Sequence, residues 1–169
     1  RSPITFDYAV AHDCNIMCWP FSMPFAEAKK YKSQLDEAIA KAGGTWSGSF
    51  ALMRHTAVYE TEDDRNAAMA AIRNVLGKFG NVMTKTGDVR NGFADNVPAE
   101  ELEGNVRVEP KMLEENLMFG SPETVIEKLR TYEALGVDAF IYYASMGLEM
   151  DVQKRSLQSF IDHVMPEFT

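Results

Sequence analysis

The segment Ser2-Pro3-Ile4-Thr5 is the first place where this sequence sets groups that could do chemistry at a useful spacing. Serine is a good helix N-cap, and proline suits the first helical position, where its missing N–H is not needed. A helix that starts this way offers backbone N–H groups and the positive end of its dipole, and Ser2 and Thr5 add two hydroxyls on the same turn. Those parts can cradle a phosphate, or they can be a plain cap with a solvent-facing threonine. The spacing recurs at Ser121-Pro122-Glu123-Thr124. There Glu123 already answers the dipole and would repel a phosphate, so the first copy is the better anion site and the second the plainer cap.

Three further groups sit on expected strands, two of them at the strand ends. Met17, Cys18 and Trp19 close an apolar run that Pro20 stops, and Trp19 could wall or stack on a planar cofactor; core packing is the competing role. Tyr142, Tyr143 and Ser145 close another run, and strand alternation lets only one of the two tyrosines face inward. Arg54 and His55 are adjacent polar residues inside a third strand, so one can meet a ligand while the other meets the surrounding helices, or both can be structural. Cys14 and Cys18 lack the spacing of a zinc finger or disulfide framework and read as buried thiols, with only three histidines available to complete a metal set. The ten methionines read as adaptable core.

The elements that must position these groups follow from periodicity. Helical spacing is expected from Ser2-Pro3 through Val10, from Phe25 to Ile39 before Gly43-Gly44, from Thr61 to Phe79, from Ser121 to Gly136, and from Met150 to Val164 before Pro166. Strands are expected at Cys14–Trp19, Phe50–Tyr59 and Val137–Ser145. Residues 80–119 lose the pattern, with short helices near Pro98–Leu102 and Pro110–Glu115, and read as an inserted loop or lid. Alternation of this kind implies an α/β fold with a parallel sheet. Three strands in 169 residues cannot close an eight-stranded barrel, so a single-domain half-barrel spanning 1–169, with further architecture preceding Arg1, is the expectation.

Composition narrows the partners. A net charge of -8, from 25 acidic against 17 basic residues, disfavours nucleic acid and anionic membranes. The absence of an apolar run of spanning length or of a signal-peptide pattern points to a cytoplasmic protein acting on a small molecule.

Taken in order, the segments RSPITFDYAVAHDCNIMCW, FGSPETVIEKLRTYEALGVDAFIYYASMG and RSLQSFIDHVMPEF resemble the luciferase-like flavin monooxygenase family, over nearly the whole chain. The resemblance implies the C-terminal part of a (β/α)8 TIM barrel. It implies that Ser2 and Thr5 hold the phosphate of FMN, and that Met17 and Trp19 run beside its ring. It implies that reduced flavin and O2 oxygenate a small organic substrate, the reduced flavin coming from a separate NAD(P)H-dependent reductase. The family's catalytic residues would lie upstream, in a missing N-terminal half; that half, or failing it a second copy of the chain, would cover the open sheet, and by itself the chain is expected to be inactive. Arg1 stands where some members carry an acid. Two other functions share the pattern: a deazaflavin-dependent oxidoreductase of the same superfamily, and a non-catalytic half-barrel that binds flavin or serves assembly.

Overall fold

The structure, a computed structural model, describes residues 2–84, 88–95 and 99–168, so Arg1 and Pro98, both singled out above, lie outside the described residues. In chain order the elements are α1 (Pro3–Ala11), β1 (Ile16–Cys18), α2 (Phe25–Lys41), β2 (Phe50–Val58) and α3 (Glu62–Thr84). A hairpin of β3 (Val89–Arg90) and β4 (Phe93–Ala94) follows, then two 3-10 turns, α4 (Pro110–Asn116), β5 (Met118–Gly120), α5 (Pro122–Leu135), β6 (Ala139–Tyr143) and α6 (Met150–Ser159).

β2 is the hub of a four-stranded sheet. It runs parallel to β1 from Ile16↔Phe50 to Cys18↔Leu52 and parallel to β6 from Ala51↔Ala139 to His55↔Tyr143. Because Ala51 and Leu52 pair with both neighbours, β1 and β6 must occupy opposite edges of β2. β5 pairs further along, from Thr56↔Met118 to Val58↔Gly120. The start of β6 is locked to β2 by a reciprocal pair: the Asp138 carboxylate accepts the Phe50 N–H at 2.8 Å, and the Asp138 N–H donates to the Phe50 carbonyl at 2.9 Å.

Strand alternation sorts β2 into two faces. Phe50, Leu52 and Val58 join Tyr31 and Leu35 of α2, Val125 and Leu129 of α5, and Phe160 and Val164 in one buried cluster. This is the helix-covered face. Burying a side chain of this size is worth about 1.5–3 kcal/mol, so this cluster is the main adhesive between sheet and helices. The chain leaves α5 through Gly136, whose left-handed backbone (φ 88) favours glycine, and a Cβ there would press on Lys32 at 3.0 Å. On the helix-covered face Ser156 of α6 accepts the Val58 N–H at 2.8 Å and shares a 2.7 Å hydrogen bond with the Tyr142 hydroxyl. A second cluster joins Ala57, at the C-terminal end of β2, to Ile72 and Leu76 of α3 and to Leu102, Leu113 and Phe119 of the inserted region.

Several expectations need correction. β1 and β6 are shorter than the runs Cys14–Trp19 and Val137–Ser145, because only the stretches that face β2 find ladder partners. The sheet has a fourth strand, Met118–Gly120, and α3 continues past Phe79 to Thr84. The last helix changes to a π turn at Phe160–Val164. The thiol of Cys18 is half-buried and pushed up to about 11 by burial, whereas Cys14 is exposed and not a core thiol.

Candidate functional site

The site grows from the C-terminal ends of β1 and β6, the middle of β2 and the start of α1. At that start Ser2 has extended backbone (φ -95, ψ 138), Pro3 opens the helix, and no acidic residue occupies the first turn. The Ser2 hydroxyl makes no capping bond, so its oxygen is not committed to the helix. Thr5, one turn on, lines a cavity of about 180 Å³ together with Phe6, Ile16, Met17, Cys18, Trp19 and Tyr31. The structure therefore brings Thr5, Met17 and Trp19 to one cavity, while Ser2 is exposed at the start of the same helix and does not line it. Met17 is 58% exposed, on the face of β1 turned away from the helices.

The adjacent polar pair of β2 divides between the two faces. Arg54 turns to the helices. Its Nε donates to the Tyr132 hydroxyl at 3.1 Å, and one amino group donates to the carbonyls of Phe21 at 3.1 Å and Met23 at 2.8 Å. That clamp holds the loop after β1, where Phe21 adopts a left-handed backbone (φ 57) unusual for a bulky residue. His55 takes the opposite face, 1% exposed, among the rings of Tyr143 at 4.5 Å, Trp19 at 5.7 Å and Phe21 at 6.0 Å. Burial lowers its pKa to about 4, so the imidazole is neutral at physiological pH. Tyr143, not Tyr142, is the tyrosine that faces this cluster; Tyr142 is tied to α6 through Ser156, and Ser145 is exposed.

The aromatic cluster holds three buried polar atoms without a hydrogen-bond partner: Trp19 Nε1 and both ring nitrogens of His55. Of these residues Trp19 alone lines the cavity beside Thr5, and the guanidinium of Arg54 on the other face also keeps one buried nitrogen without a partner. The start of α1 presents two hydroxyls and free backbone N–H groups with no carboxylate in its first turn, a combination that suits an anion.

A second polar cluster lies at the insertion. Glu114 of α4 accepts from Arg65 Nε at 2.5 Å and from the Tyr59 hydroxyl at 3.0 Å, and the Arg65 bond holds its carboxyl below the usual range. Lys128 of α5, lowered to about 8 by burial, donates to the carbonyls of Glu114, Leu117 and Phe119. These bonds fasten α4 and β5 to the frame. Among the described residues no group of three His, Cys, Asp or Glu side chains could hold a metal ion, and no helix is long and apolar enough to cross a membrane.

The model of the luciferase-like monooxygenase family matches residues 1–139. The chain belongs to that family. It is 26% identical over all of its length to the oxygenase component of a flavin-dependent trigonelline monooxygenase from Acinetobacter baylyi, covering 47% of that protein. Among solved structures, the monooxygenase RslO1 from Streptomyces bottropensis superposes with a TM-score of 0.70 at 13% identity, over 99% of this chain and 46% of its own. A coenzyme F420 dependent tetrahydromethanopterin reductase from Methanopyrus kandleri superposes with a TM-score of 0.62 at 18% identity, over 99% and 49%. The chain thus spans about half the length of the relatives it matches, and its fold is the C-terminal part of a TIM barrel, as the alternation of elements anticipated. Of the residues in the aromatic cluster, Phe21 escaped the sequence reading, because nothing in Pro20-Phe21 marks a left-handed turn. His55 was visible only as half of an undecided pair.

Proposed function

We propose that this chain forms the C-terminal barrel half of a flavin-dependent monooxygenase that uses reduced FMN and O2 to oxygenate a small organic substrate. The observation that carries this reading is the meeting of Thr5, Met17 and Trp19 at one cavity beside an acid-free helix start. Membership of the luciferase-like family and the flavin-dependent relative support it. In this reading Ser2 and Thr5 donate hydrogen bonds to the cofactor phosphate, and the first-turn N–H groups of α1 add the dipole. Met17 and Trp19 wall the ring and keep water from it. Bound reduced flavin supplies the electrons that activate O2. A separate NAD(P)H-dependent reductase delivers that flavin, in keeping with a relative that is the oxygenase component of its system. We take the protein to be cytoplasmic.

The inserted residues 80–119 act as a lid in this scheme. Their support is position, since Leu102, Leu113 and Phe119 pack against Ala57 at the C-terminal end of β2. The rest of the barrel, or a second copy, covers two open flanks. Ile4, Tyr8 and Met17 are exposed on the β1 side, and Leu157, Ile161 and Met165 line an apolar groove with Ala139 and Phe140 of β6.

The test is anaerobic titration of the full-length protein with reduced FMN and with reduced deazaflavin, followed by O2 consumption in the presence of a flavin reductase. Tight binding of reduced FMN and reductase-dependent uptake of labelled oxygen into product are expected. Binding of the deazaflavin alone would move the protein to hydride transfer, and binding of neither would leave an assembly role.

A further inference from the structure

We propose that Arg54 is a positioning residue for the cofactor site: its guanidinium fixes the turn after β1, and through that turn it holds Trp19 at the wall of the cavity. The inference rests on the flavin reading above and adds to it a residue that does not itself line the cavity. Arg54 is 0% exposed. Its Nε donates to the Tyr132 hydroxyl of α5 at 3.1 Å, and the guanidinium lies 5.8 Å from the centre of that ring. The far end of the same group reaches the carbonyls of Phe21 at 3.1 Å and Met23 at 2.8 Å. A planar guanidinium donates in fixed directions, so it ties helix, strand and turn together in one geometry.

The turn needs such a tie. It runs from Pro20 to Met23, closed by the Met23 N–H on the Pro20 carbonyl at 3.0 Å, and it sets Phe21 at φ 57. Left-handed backbone at a bulky residue persists only where the surroundings hold it, and Pro20 and Pro24 bring no N–H of their own to do so. Arg54 supplies the donors from outside, to the carbonyls on either side of Ser22. Phe21 in turn meets Trp19 edge-on at 4.9 Å, and Tyr143 meets Trp19 at 5.5 Å. Trp19, so placed, lines the cavity with Thr5 and Met17. All three acceptors of Arg54 are neutral oxygens. Burying a charge is costly, and what neutral partners return is a defined geometry more than stability. Every partner in this chain of contacts belongs to the described residues, from Tyr132 through Arg54 and Phe21 to Trp19.

The experiment compares Arg54→Met, which keeps an extended side chain without donors, and Arg54→Lys, which keeps the charge, with the wild-type full-length protein, all carrying fluorotryptophan. Ser156→Ala, which loses the bonds to Val58 and Tyr142 on the same sheet face, is the control for lost stability alone. Three quantities are read: the fluorine resonance of Trp19 in the ligand-free protein, assigned by its loss in Trp19→Phe; the dissociation constant for reduced FMN under nitrogen; and the melting temperature. Arg54→Met should shift the Trp19 resonance and weaken reduced-FMN binding about tenfold, through lost pre-organisation of the wall. Arg54→Lys, whose ammonium can still donate to the turn carbonyls, should recover part of both. Ser156→Ala should melt earlier and keep resonance and affinity. If Arg54→Met melts earlier but keeps resonance or affinity, or if Ser156→Ala changes both as much, Arg54 is only a structural residue and the inference is overturned. If Arg54→Met does not fold, Arg54→Lys decides: a shifted resonance with weakened binding supports the inference, and a wild-type resonance or affinity overturns it, as does failure of both variants to fold. A wild-type protein that binds no reduced FMN removes the flavin reading itself, and this inference with it; wild-type binding that Arg54→Met leaves untouched removes only this inference.

Discussion

The chain starts two helices with the same Ser-Pro-x-Thr spacing, and the structure uses them differently. At α5 the Ser121 oxygen accepts the Thr124 N–H at 3.4 Å, the Ser121 hydroxyl donates to Glu123 at 2.7 Å, and the first turn already contains its negative charge. At α1 the Ser2 side chain makes no capping bond, the corresponding position is Ile4, 71% exposed, and Thr5 opens onto the Trp19 cavity. One start is complete within the protein. The other keeps its donors for something outside it. The difference lies in a single first-turn residue, and it shows that an identical local motif says little about function until its electrostatic neighbours are counted.

The sharpest way to break this contrast is to make α1 resemble α5. Ile4→Glu would place a carboxylate in the first turn, against the phosphate of a bound flavin, and should weaken reduced-FMN binding by about a hundredfold, roughly 3 kcal/mol. The ligand-free protein should melt no earlier, because an acid at a helix start stabilises it by about 0.3–1 kcal/mol. Opposite signs in the titration and the melt are the signature; matching signs would mean that α1 is an ordinary helix start.

Ser2→Ala with Thr5→Ala comes next. Each lost hydrogen bond to a charged group is worth about 1.5–3 kcal/mol, so affinity should fall at least tenfold. The melting temperature should barely change, since Ser2 caps nothing. Unchanged affinity in the double variant would exclude both residues from the cofactor site.

At α5 the effects should reverse. Ser121→Ala removes a working cap and should cost about 1 kcal/mol of stability, seen as a melting temperature lower by about 2–4 °C, with reduced-FMN affinity unaltered. A shift in affinity here would show that the second start also serves the ligand.

The smallest effect is a pH dependence. The hydrogen bond from Ser121 holds the Glu123 carboxyl below its ordinary value of 4.5. A carboxyl that is more acidic in the folded than in the unfolded chain stabilises the fold above the unfolded value, and that stability is lost as pH falls through the folded one. Melts taken between pH 6 and pH 3 should therefore converge for wild type and Glu123→Gln at the acid end. A constant gap across the range would assign the residue no titrating role.

Much of the frame was legible because periodicity is a local property. Tyr31 and Leu35 of α2, or Val125 and Leu129 of α5, repeat at the spacing that buries one helical stripe, and all four are in the core. β5 was not legible, since Met118-Phe119-Gly120 is too short to alternate and becomes a strand only because Thr56–Val58 has an unfilled edge. The hairpin was readable but overlooked: Asn91-Gly92, with φ of 52 and 84, is the turn that Asn-Gly pairs favour. At the site, alternation foretold that Arg54 and His55 would part, but not which would face the rings. That choice depends on the register of β2 against β6, set by a residue 88 positions away.

That register clasp between Asp138 and Phe50 also bears on how the chain reaches its fold. β2 finds its β1 neighbour across a separation of 34 residues, as in the bond from the Ser49 N–H to Asn15, but its β6 neighbour only across 88. Contacts between distant positions must first overcome the entropy of closing a long loop, and such topologies fold slowly. During synthesis β1 and β2 can pair early, while the other edge of β2 waits for the whole stretch up to β6 to emerge. The aromatic cluster spans that late edge, with Trp19 and Phe21 contributed early and Tyr143 last. Completion of that cluster is therefore among the final events of folding, and substitutions at Asp138 should delay its closure more than they delay helix formation.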